Sequence, residues 1–310
     1  MSTPIAIGID LGGTNLRTAV VDREGRIIVK RSEPVDVRVG PDAVIARIVQ
    51  TIDALLMEAH LPRSDIGGVG LGTPGPLNLR EGVIIQAANL PGWKNVPIRD
   101  RLRNALQCPV LLENDANAAA YGEFWKGAGR DGSDMVMLTL GTGVGCGVVL
   151  DGRLLHGHFD NAAELGHMIV VVDGLPCACG QRGCLEQYAS AAGVARRVMA
   201  ARGENTVIDS AYVAGLARSG DAVCGRIWGE ACLYLAVACV NIQHAYNSAA
   251  IVFGGGMSVA GDFLLDGVND HLRRQRWSLA DDLPALRLAE LGDDAGVIGA
   301  AGLAWCAYAT

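Results

Sequence analysis

The sequence predicts an α/β protein built from two lobes, and three observations support this fold class. The chain has 310 residues, which is more than a single hydrophobic core usually organises. Half of the residues are hydrophobic and 41 are glycine, as expected where many tight turns join strands to helices. A pattern of strand, glycine-threonine loop and strand starts at Ile5 and recurs at Met135. Such an internal repeat is typical of a duplicated two-lobe architecture.

Composition and charge exclude several classes of protein. The net charge of -7 argues against nucleic acid as the main partner, because phosphate backbones bind to basic surfaces. The first ten residues carry no basic region of the kind that starts a secretory signal. The apolar runs are too short or too rich in glycine to span a bilayer. Nine cysteines without an export signal indicate a reducing compartment, so we expect a cytoplasmic protein without a membrane partner.

The first half of the chain is predicted to open with a strand meander. Its glycine loop joins strand to strand, so it lacks the helix and the G-x-G-x-x-G spacing of a dinucleotide site. Strands are predicted at 5–10, 16–21, 26–31, 66–71 and 110–112. Helices are predicted at 41–60, 97–106 and 115–126. The segment 87–93 contains several helix and strand breakers and is predicted as a loop.

The second half begins with another strand hairpin and is then mostly helical. Strands are predicted at 135–140, 251–254 and 286–289. A further strand is predicted between the loop at 141–145 and residue 150. Helices are predicted at 189–201, 209–218, 221–246, 261–276 and 296–308. The helix at 221–246 is apolar on most faces, which predicts burial between neighbouring elements. No linker is long enough to separate independent domains.

Three glycine loops follow predicted strands and have the composition of phosphate-binding turns. Glycines let backbone N–H groups approach an anion, and threonine hydroxyls add donors. Asp10 could hold a metal-bound water beside such a phosphate. Together the loops suggest two phosphate clamps and one nucleotide wall, and ordinary tight turns are the alternative. The candidate residues are Asp10, Gly12, Gly13, Thr14, Asn15, Gly141, Thr142, Gly143, Gly254, Gly255 and Gly256.

A candidate general base lies where a predicted strand gives way to a helix, in the segment Glu113-Asn114-Asp115-Ala116-Asn117. A carboxylate at this position can accept the proton of an attacking hydroxyl opposite a metal-bound γ-phosphate. Asp115 is that carboxylate, and Asn114 can exchange hydrogen bonds with neighbouring hydroxyls. The alternative is that these residues only cap the helix.

Three cysteines and one histidine within eighteen residues form a Cys3His set, which suits a closed structural zinc site. The residues are His167, Cys177, Cys179 and Cys184, and glycines 180 and 183 let the chain turn back between them. A disulfide is disfavoured because Cys177 and Cys179 are too close in sequence to bridge and the cysteine total is odd. Unrelated buried cysteines are the remaining alternative.

Two carboxylates bracket this Cys3His set, namely Glu164 and Glu186. Carboxylates are unusual beside a purely structural metal but are good acceptors for sugar hydroxyls. We therefore predict that the metal supports a wall that binds a polyol. The histidines at 60, 156, 158, 244 and 271 show no ligand spacing and are interpreted as surface or core residues. The remaining six cysteines are interpreted as core residues.

Together these motifs resemble the ROK family of bacterial sugar kinases, and the resemblance covers nearly the whole chain. Within the family, the segments 87–90 and 122–129 resemble the glucokinases most closely. The family's repressors carry a helix-turn-helix before the first strand, and here that strand is predicted to start at Ile5. The segments that carry the resemblance are 10–14, 113–117, 140–145, 164–167 and 177–186.

The resemblance implies an actin/hexokinase-like, ribonuclease H-like two-lobe fold with the zinc knuckle in the larger lobe. The small lobe would comprise 1–116 and 296–310, and the large lobe 117–295. The resemblance also implies binding of sugar and ATP in the cleft, and a homodimer or homotetramer. Asp115 would be the catalytic base and would contact the sugar together with Asn89, Asn114, Glu164, His167 and Glu186. The imidazole of His167 would serve both zinc and sugar.

We therefore expect phosphorylation of D-glucose to glucose 6-phosphate with ATP, Mg²⁺ and a structural Zn²⁺. Another sugar is the nearest alternative, namely N-acetylmannosamine, N-acetylglucosamine, allose or fructose, because hexoses differ by single hydroxyl positions. A non-catalytic sugar sensor or a zinc-stabilised interaction protein is the alternative from a different class. The presence of Asp115 together with all three glycine loops argues against it.

Overall fold

A computed structural model describes residues 4–87, 89–203, 206–275, 277 and 283–308. The chain folds into two compact units. The first unit comprises Met1–Arg130, Leu154–Ala162 and Asp293–Thr310, and the second comprises Asp131–Arg153 and Ala163–Gly292. This division differs from the predicted boundary at 116/117, which would cut through a continuous helix. It also assigns Leu154–Ala162, the segment that follows the second hairpin, to the first unit.

Thirteen strands and nine helices are present in the described ranges. The strands are β1 (Ile5–Leu11), β2 (Asn15–Val21), β3 (Ile27–Pro34), β4 (Ile66–Thr73), β5 (Leu77–Asn78), β6 (Val83–Ala87), β7 (Leu90–Val96), β8 (Val110–Asn114), β9 (Met135–Leu140), β10 (Val144–Leu150), β11 (Arg153–Leu154), β12 (Ala250–Gly254) and β13 (Ala285–Leu288). The helices are α1 (Pro41–Glu58), α2 (Ile98–Leu106), α3 (Asp115–Lys126), α4 (Leu185–Ala189), α5 (Ala191–Arg202), α6 (Ser210–Arg218), α7 (Ala222–Tyr246), α8 (Asp262–Gln275) and α9 (Ala295–Tyr308).

The first unit is built on a five-stranded sheet in the order β3-β2-β1-β4-β8. β1 to β3 form the antiparallel meander, while β4 pairs parallel to β1 and β8 parallel to β4. The central strand β1 is almost entirely buried, as expected for a strand covered on both faces. One face packs on the apolar sides of α1 and α2. Because β1, β4 and β8 are parallel, their carboxyl ends meet at one edge of the sheet.

The other face of this sheet is covered by α9 at very close range. A Cβ on Gly8 would lie 1.8 Å from the carbonyl oxygen of Val297, and one on Gly70 would lie 1.9 Å from that of Ala300. Only glycine allows the helix backbone to approach the strands this closely. The C-terminal helix is therefore an integral layer of the first unit.

The second unit contains a five-stranded sheet in the order β11-β10-β9-β12-β13. β9 and β10 form the second antiparallel hairpin, and β12 runs parallel to both β9 and β13. The expected repeat of a glycine-loop hairpin at the start of each sheet is therefore present. The longest helix, α7, buries apolar residues on several faces, as predicted.

The segment 87–93 was wrongly predicted to be a loop. Leu90–Val96 forms β7, which pairs antiparallel with β6 in a small three-stranded sheet. The indole of Trp93 is buried there and donates to the carbonyl oxygen of Val37 at 3.0 Å. The breakers Pro91 and Gly92 misled the sequence interpretation, because a buried aromatic and cross-strand pairing outweigh local propensity.

The structure also divides one of the predicted helices. The helix predicted at 189–201 is preceded by the separate helix α4, and Ser190 caps α5 by accepting from the N–H of Gly193. The last residue of the helix predicted at 261–276 lies outside the described residues. By length and composition α7 would be able to cross a bilayer, contrary to the expectation that the apolar runs are too short or too rich in glycine. Half of its most apolar window is buried in the protein, and buried core helices satisfy the same criterion.

Candidate functional site

The candidate base lies at the sheet edge where three parallel strands of the first unit end. The pairing register places Asp10 beside Gly72, and Gly72 beside Glu113. Because neighbouring strands are about 4.8 Å apart, the Asp10 and Glu113 backbones are separated by roughly 10 Å. The Asp10 loop and the Asn114-Asp115 turn are thus brought to the same edge from distant parts of the sequence.

The turn from β8 into α3 gives Asn114 and Asp115 different tasks. Asn114 is the N-cap of α3, and its Oδ1 accepts from the N–H groups of Ala116 at 2.9 Å and Asn117 at 3.1 Å. Asp115 is the first residue of the helix, and its Oδ1 also accepts from Ala116 at 2.9 Å. Its carboxylate therefore lies at the positive end of the helix dipole. The alternative role of these residues as helix caps is therefore present, but Asn114 already provides the cap.

Glu113 is a functional candidate that the sequence interpretation left without a role. Its side chain is 3% exposed. Oε1 accepts from the N–H of Asn114 and from Nδ2 of Asn117, each at 2.9 Å. Oε2 lies 2.8 Å from Nε2 of His156. A buried carboxylate requires such partners. The sequence places Glu113 near the end of a predicted apolar strand, and this position could have prompted a search for a cationic partner.

His156 was interpreted as a surface or core residue, and the structure shows it half-buried in contact with Glu113. Because the ionised Glu113 carboxylate can only accept, Nε2 of His156 donates the hydrogen bond between them. The hydrogen bond and charge of Glu113 raise the pKa of His156 above 6.5, with burial opposing and Asp160 adding to the rise. The histidine spacing in the sequence gave no indication of this contact.

Asp10 shares the sheet edge and is paired with a cation. Nη1 of Arg17 lies 3.2 Å from Oδ2 of Asp10, and Nη2 of Arg17 lies 3.6 Å from the exposed Asp293. Burial raises the pKa of Asp10 above 3.8, and Arg17 counteracts part of that rise. A single partly buried carboxylate of this kind fits Mg²⁺, which usually takes one or two protein carboxylates together with phosphate oxygens and water.

The loop after β1 packs directly against the segment that contains Asn89. A Cβ on Gly13 would lie 2.7 Å from the carbonyl oxygen of Asn89, so only glycine fits at this position. Thr14 and Asn15 are exposed, and Asn89 is exposed as well. The structure thus brings together the predicted phosphate loop and one predicted sugar residue within the first unit.

In the second unit, the four predicted metal ligands form one cluster. One ligand atom from each of His167, Cys177, Cys179 and Cys184 lies within 4.8 Å of the others. The Cys177 sulfur is 3.7 Å from Nδ1 of His167, and the Cys179 and Cys184 sulfurs are 3.6 Å apart. Bonds of about 2.3 Å to a tetrahedral Zn²⁺ predict edges of roughly 3.7 Å. The donor set and its spacing fit zinc.

Two glycines in positive-φ conformations shape the loop that carries these cysteines. Gly180 has φ +92° and Gly183 has φ +80°, and short antiparallel bridges join Pro176 to Arg182 and Ile169 to Cys184. The predicted tight turn between the cysteines is therefore present. It returns Cys184 to Cys179 and starts α4, which carries Glu186.

Glu186 is linked both to the Cys3His cluster and to the glycine loop after β9. Its Oε2 accepts from the N–H of Val144 at 3.1 Å. Nε2 of Gln187 lies 3.4 Å from the Cys177 sulfur and 3.5 Å from Oε1 of Glu186. Because the amide of Val144 points at a carboxylate, this amide is not one of the phosphate donors expected from the Gly141–Gly145 loop.

Glu164 precedes a short 3₁₀ turn, Leu165–His167, and His167 is the last residue of that turn. Glu164 is exposed, and its charge adds to the burial that raises the pKa of the Cys146 thiol. Nδ1 of His167 faces the sulfur of Cys177, so the other ring nitrogen remains for a different partner. Both carboxylates that bracket the cysteines are thus fixed within a few residues of the cluster.

The two glycine loops of the second unit lie beside each other because β9 and β12 are parallel neighbours. A Cβ on Gly255 would lie 2.7 Å from the backbone of Leu140, and Gly255 has φ +79°. A Cβ on Gly141 would meet nothing within 4 Å, so the space beside this backbone is open. Gly141, Thr142 and Gly254–Gly256 therefore form one glycine-rich edge.

The similarities to known proteins extend over nearly the whole chain. A glucokinase of Halalkalibacterium halodurans is 38% identical over 314 residues, covering 96% of this chain and 94% of the relative. The crystal structure of a ROK hexokinase from Thermus thermophilus has a TM-score of 0.87 at 35% identity and covers 98% of both chains. A ROK glucokinase from Streptomyces griseus, solved with glucose and AMPPNP, has a TM-score of 0.79 at 31% identity, covering 97% of this chain and 99% of that one.

These likenesses agree with the strand-end motifs and support a hexokinase-like α/β fold. The sequence model of the ROK family matches residues 6–306, which includes every candidate site residue described above. The chain therefore belongs to the ROK family.

Proposed function

We propose that this protein is an ATP-dependent sugar kinase that phosphorylates D-glucose to glucose 6-phosphate. The observation that carries the proposal is the shared sheet edge of the first unit, where Asp10 and the Asn114-Asp115 turn end parallel strands. Full-length similarity to proteins named glucokinase supports the substrate. The solved relative with glucose and AMPPNP supports ATP as the phosphoryl donor.

We assign the general base to Asp115. The sugar hydroxyl oxygen bonds to the γ-phosphorus of ATP as the bond from that phosphorus to the β,γ-bridging oxygen breaks. Asp115 accepts the hydroxyl proton, and ADP is the leaving group. Asn114 holds the first turn of α3 in place, which fixes the position of the accepting carboxylate.

Sugar contacts are assigned to residues whose side chains carry acceptors or donors at fixed positions. Carboxylates and amides discriminate hydroxyl placement because an unmatched buried polar group is costly. In the first unit these residues are Asn89, Asn114 and Asp115, and in the second unit they are Glu164, His167 and Glu186.

The glycine loops are assigned to the phosphates of ATP. Backbone N–H groups and threonine hydroxyls in such loops can bind anionic oxygens, although the N–H groups of Gly12 and Gly141 donate within their own loops. When bound, Mg²⁺ would neutralise charge on the transferred phosphate, and Asp10 is the residue proposed to hold it. Zn²⁺ would act structurally at His167, Cys177, Cys179 and Cys184. The loop residues are Gly12, Gly13, Thr14, Asn15, Gly141, Thr142, Gly143, Gly254, Gly255 and Gly256.

The test is a coupled assay of ADP release with ATP and a panel of glucose, N-acetylmannosamine, N-acetylglucosamine, allose and fructose. We expect the highest kcat/KM with glucose. A higher value with another sugar would change the substrate while retaining the kinase. No ADP release with any of the sugars, together with sugar binding by calorimetry, would identify a sensor instead. Light scattering on the same sample checks the proposed homodimer or homotetramer.

A further inference from the structure

The segment Leu154–Ala162 carries a partly buried contact to the candidate base turn that the proposed chemistry does not explain. It follows the second hairpin in sequence but belongs to the first unit. Asn161 exchanges two hydrogen bonds with the backbone of Leu77, at 2.9 and 3.0 Å. Oδ2 of Asp160 accepts from the N–H groups of Leu79 at 3.0 Å and Arg80 at 3.4 Å. The segment is therefore fastened to the first unit next to β5.

This fastening brings His156 to Glu113. The 2.8 Å contact joins Nε2 of His156 to Oε2 of Glu113, and the carboxylate is 3% exposed while the imidazole is 35% exposed. A buried carboxylate interacts strongly with a cation because little water screens the pair. Glu113 on β8 and Asp160 within the segment are the charged groups that act on the imidazole.

The other oxygen of Glu113 holds the backbone that carries the base. It accepts from the N–H of Asn114, the next residue, and from the side chain of Asn117 in the first turn of α3. One carboxylate oxygen therefore joins the end of the strand to the start of the helix, and Asp115 lies between these two contacts. A rotation of Glu113 would move the peptide that orients Asp115.

We propose that His156 is a positioning residue for phosphoryl transfer, which fixes Glu113 and through it the turn that carries Asn114 and Asp115. The inference rests on the proposed kinase function and on Asp115 as the base. His156 does not contact Asp115 in the described hydrogen bonds, so it is not assigned a catalytic role. Misplacement of a reacting group by about 1 Å can cost on the order of 10²-fold in rate.

The test compares two variants of residue 156 whose side-chain amide nitrogens lie at different distances from the backbone. The side-chain nitrogen of His156→Gln reaches about as far as Nε2 and can donate to Glu113. The shorter side chain of His156→Asn reaches only about as far as Nδ1 and cannot. Both variants are polar and similar in size, so a general effect on folding should be alike in the two. His158→Ala, two residues along the chain with an exposed ring, is the control for changes to this segment.

We expect His156→Asn to lower kcat for glucose by roughly ten- to a hundredfold per folded molecule, with a change in KM for ATP below about threefold. His156→Gln should recover most of the lost kcat, and His158→Ala should stay within about twofold of the wild type. Folded protein is quantified by circular dichroism and thermal melting, and glucose binding by calorimetry. If His156→Asn and His156→Gln have the same kcat, or if both match the wild type, the positioning role is overturned.

Melting temperatures measured over a pH series provide a second test, because a loss of packing alone would not depend on pH. The raised pKa of His156 means that the folded state favours the protonated imidazole. Its contribution to stability is therefore fully present below about pH 6.5 and is lost as pH rises through the higher native pKa. The melting temperature of the wild type should exceed that of His156→Gln most at acidic pH, and the difference should shrink as pH rises. A difference independent of pH would contradict the ion pair.

Different results would overturn the proposed function and the positioning role of His156. A wild-type protein without ADP release on any sugar would overturn the proposed function and, with it, the positioning role. An active wild type whose kcat is insensitive to His156→Asn would overturn the positioning role alone.

Discussion

Val144 donates its backbone N–H to Oε2 of Glu186 across 3.1 Å, and its carbonyl oxygen lies 2.0 Å from where a Cβ on Gly166 would be. One residue at the start of β10 thus contacts both segments that flank the Cys3His cluster. The glycine loop, the turn after Glu164 and the helix that carries Glu186 are therefore held together within the second unit.

We expect Gly143→Ala to displace Glu186. A Cβ at this position would lie 2.2 Å from Oε2 of Glu186. Because the two atoms would clash at this distance, the carboxylate must move away from Val144. KM for glucose should rise by roughly tenfold, because a charged hydrogen bond is worth about 1.5–3 kcal/mol. Steady-state kinetics with glucose varied at saturating ATP measures the effect. The control is Gly215→Ala in α6, where an added Cβ meets nothing within 4 Å; an unchanged KM in Gly143→Ala would argue against a sugar role for Glu186.

Asp115→Asn should abolish most turnover while leaving the fold intact. The amide oxygen of the asparagine can still accept from Ala116, and Asn114 continues to cap the helix. We expect kcat to fall by about 10²- to 10⁴-fold, the usual contribution of a general base, with glucose affinity within a few-fold. Asp209→Asn, at the exposed N-cap of α6, is the matched control. Turnover of Asp115→Asn within a few-fold of the wild type would show that another group takes the proton.

Cys179→Ser should release the metal and weaken sugar binding more than nucleotide binding. The Cys179 sulfur is 3.6 Å from that of Cys184, and a serine hydroxyl is a poor ligand for zinc. Gln187 links the Cys177 sulfur to Glu186, so loss of the metal should loosen Glu186 and raise KM for glucose. Zinc content, thermal melting and separate titrations of glucose and AMPPNP measure this.

Cys108→Ser, a half-buried cysteine of the first unit, is the control for the loss of a thiol. A variant of Cys179 that lacks zinc but binds glucose with normal affinity would contradict the link between the metal and the sugar residues. Equal losses of glucose and AMPPNP affinity would instead indicate that zinc only maintains the fold.

Asp10→Asn should raise the Mg²⁺ concentration needed for half-maximal activity by roughly tenfold, because one carboxylate of the proposed ligand set is lost. Activity measured over a Mg²⁺ series at fixed ATP tests this. Asp293→Asn is the control, since Asp293 also contacts Arg17 but is 89% exposed. An identical Mg²⁺ dependence in Asp10→Asn and the wild type would remove Asp10 from the metal site.

The same variant gives a test of stability against pH. Burial raises the native pKa of Asp10 above 3.8, so the folded state binds this proton more tightly than the unfolded state. The free energy of unfolding of the wild type, relative to Asp10→Asn, should therefore fall as pH rises from 3.8 to the native pKa. Thermal melts of both proteins between pH 3.5 and 7 measure it, and a wild type that gains relative stability over this range would contradict the assignment.

The sequence alone determined the local elements and the short-range motifs. Helix α3 has the predicted bounds Asp115–Lys126, because its N-cap and its apolar pattern lie within a few residues of each other. The Cys3His set was likewise predictable, since its ligands fall within eighteen residues and glycines permit the turn between them.

The tertiary structure alone decided the contacts between distant residues. His156 meets Glu113 across 43 positions of sequence, and Glu186 meets Val144 across 42. No local pattern encodes either pair, because each depends on how a strand end, a turn and a returning segment pack against one another. The same holds for β7, where Pro91 and Gly92 indicate a loop but burial of Trp93 and pairing with β6 stabilise a strand. Propensity acts over a few residues, whereas buried hydrogen bonds and charges are satisfied only after the chain has folded.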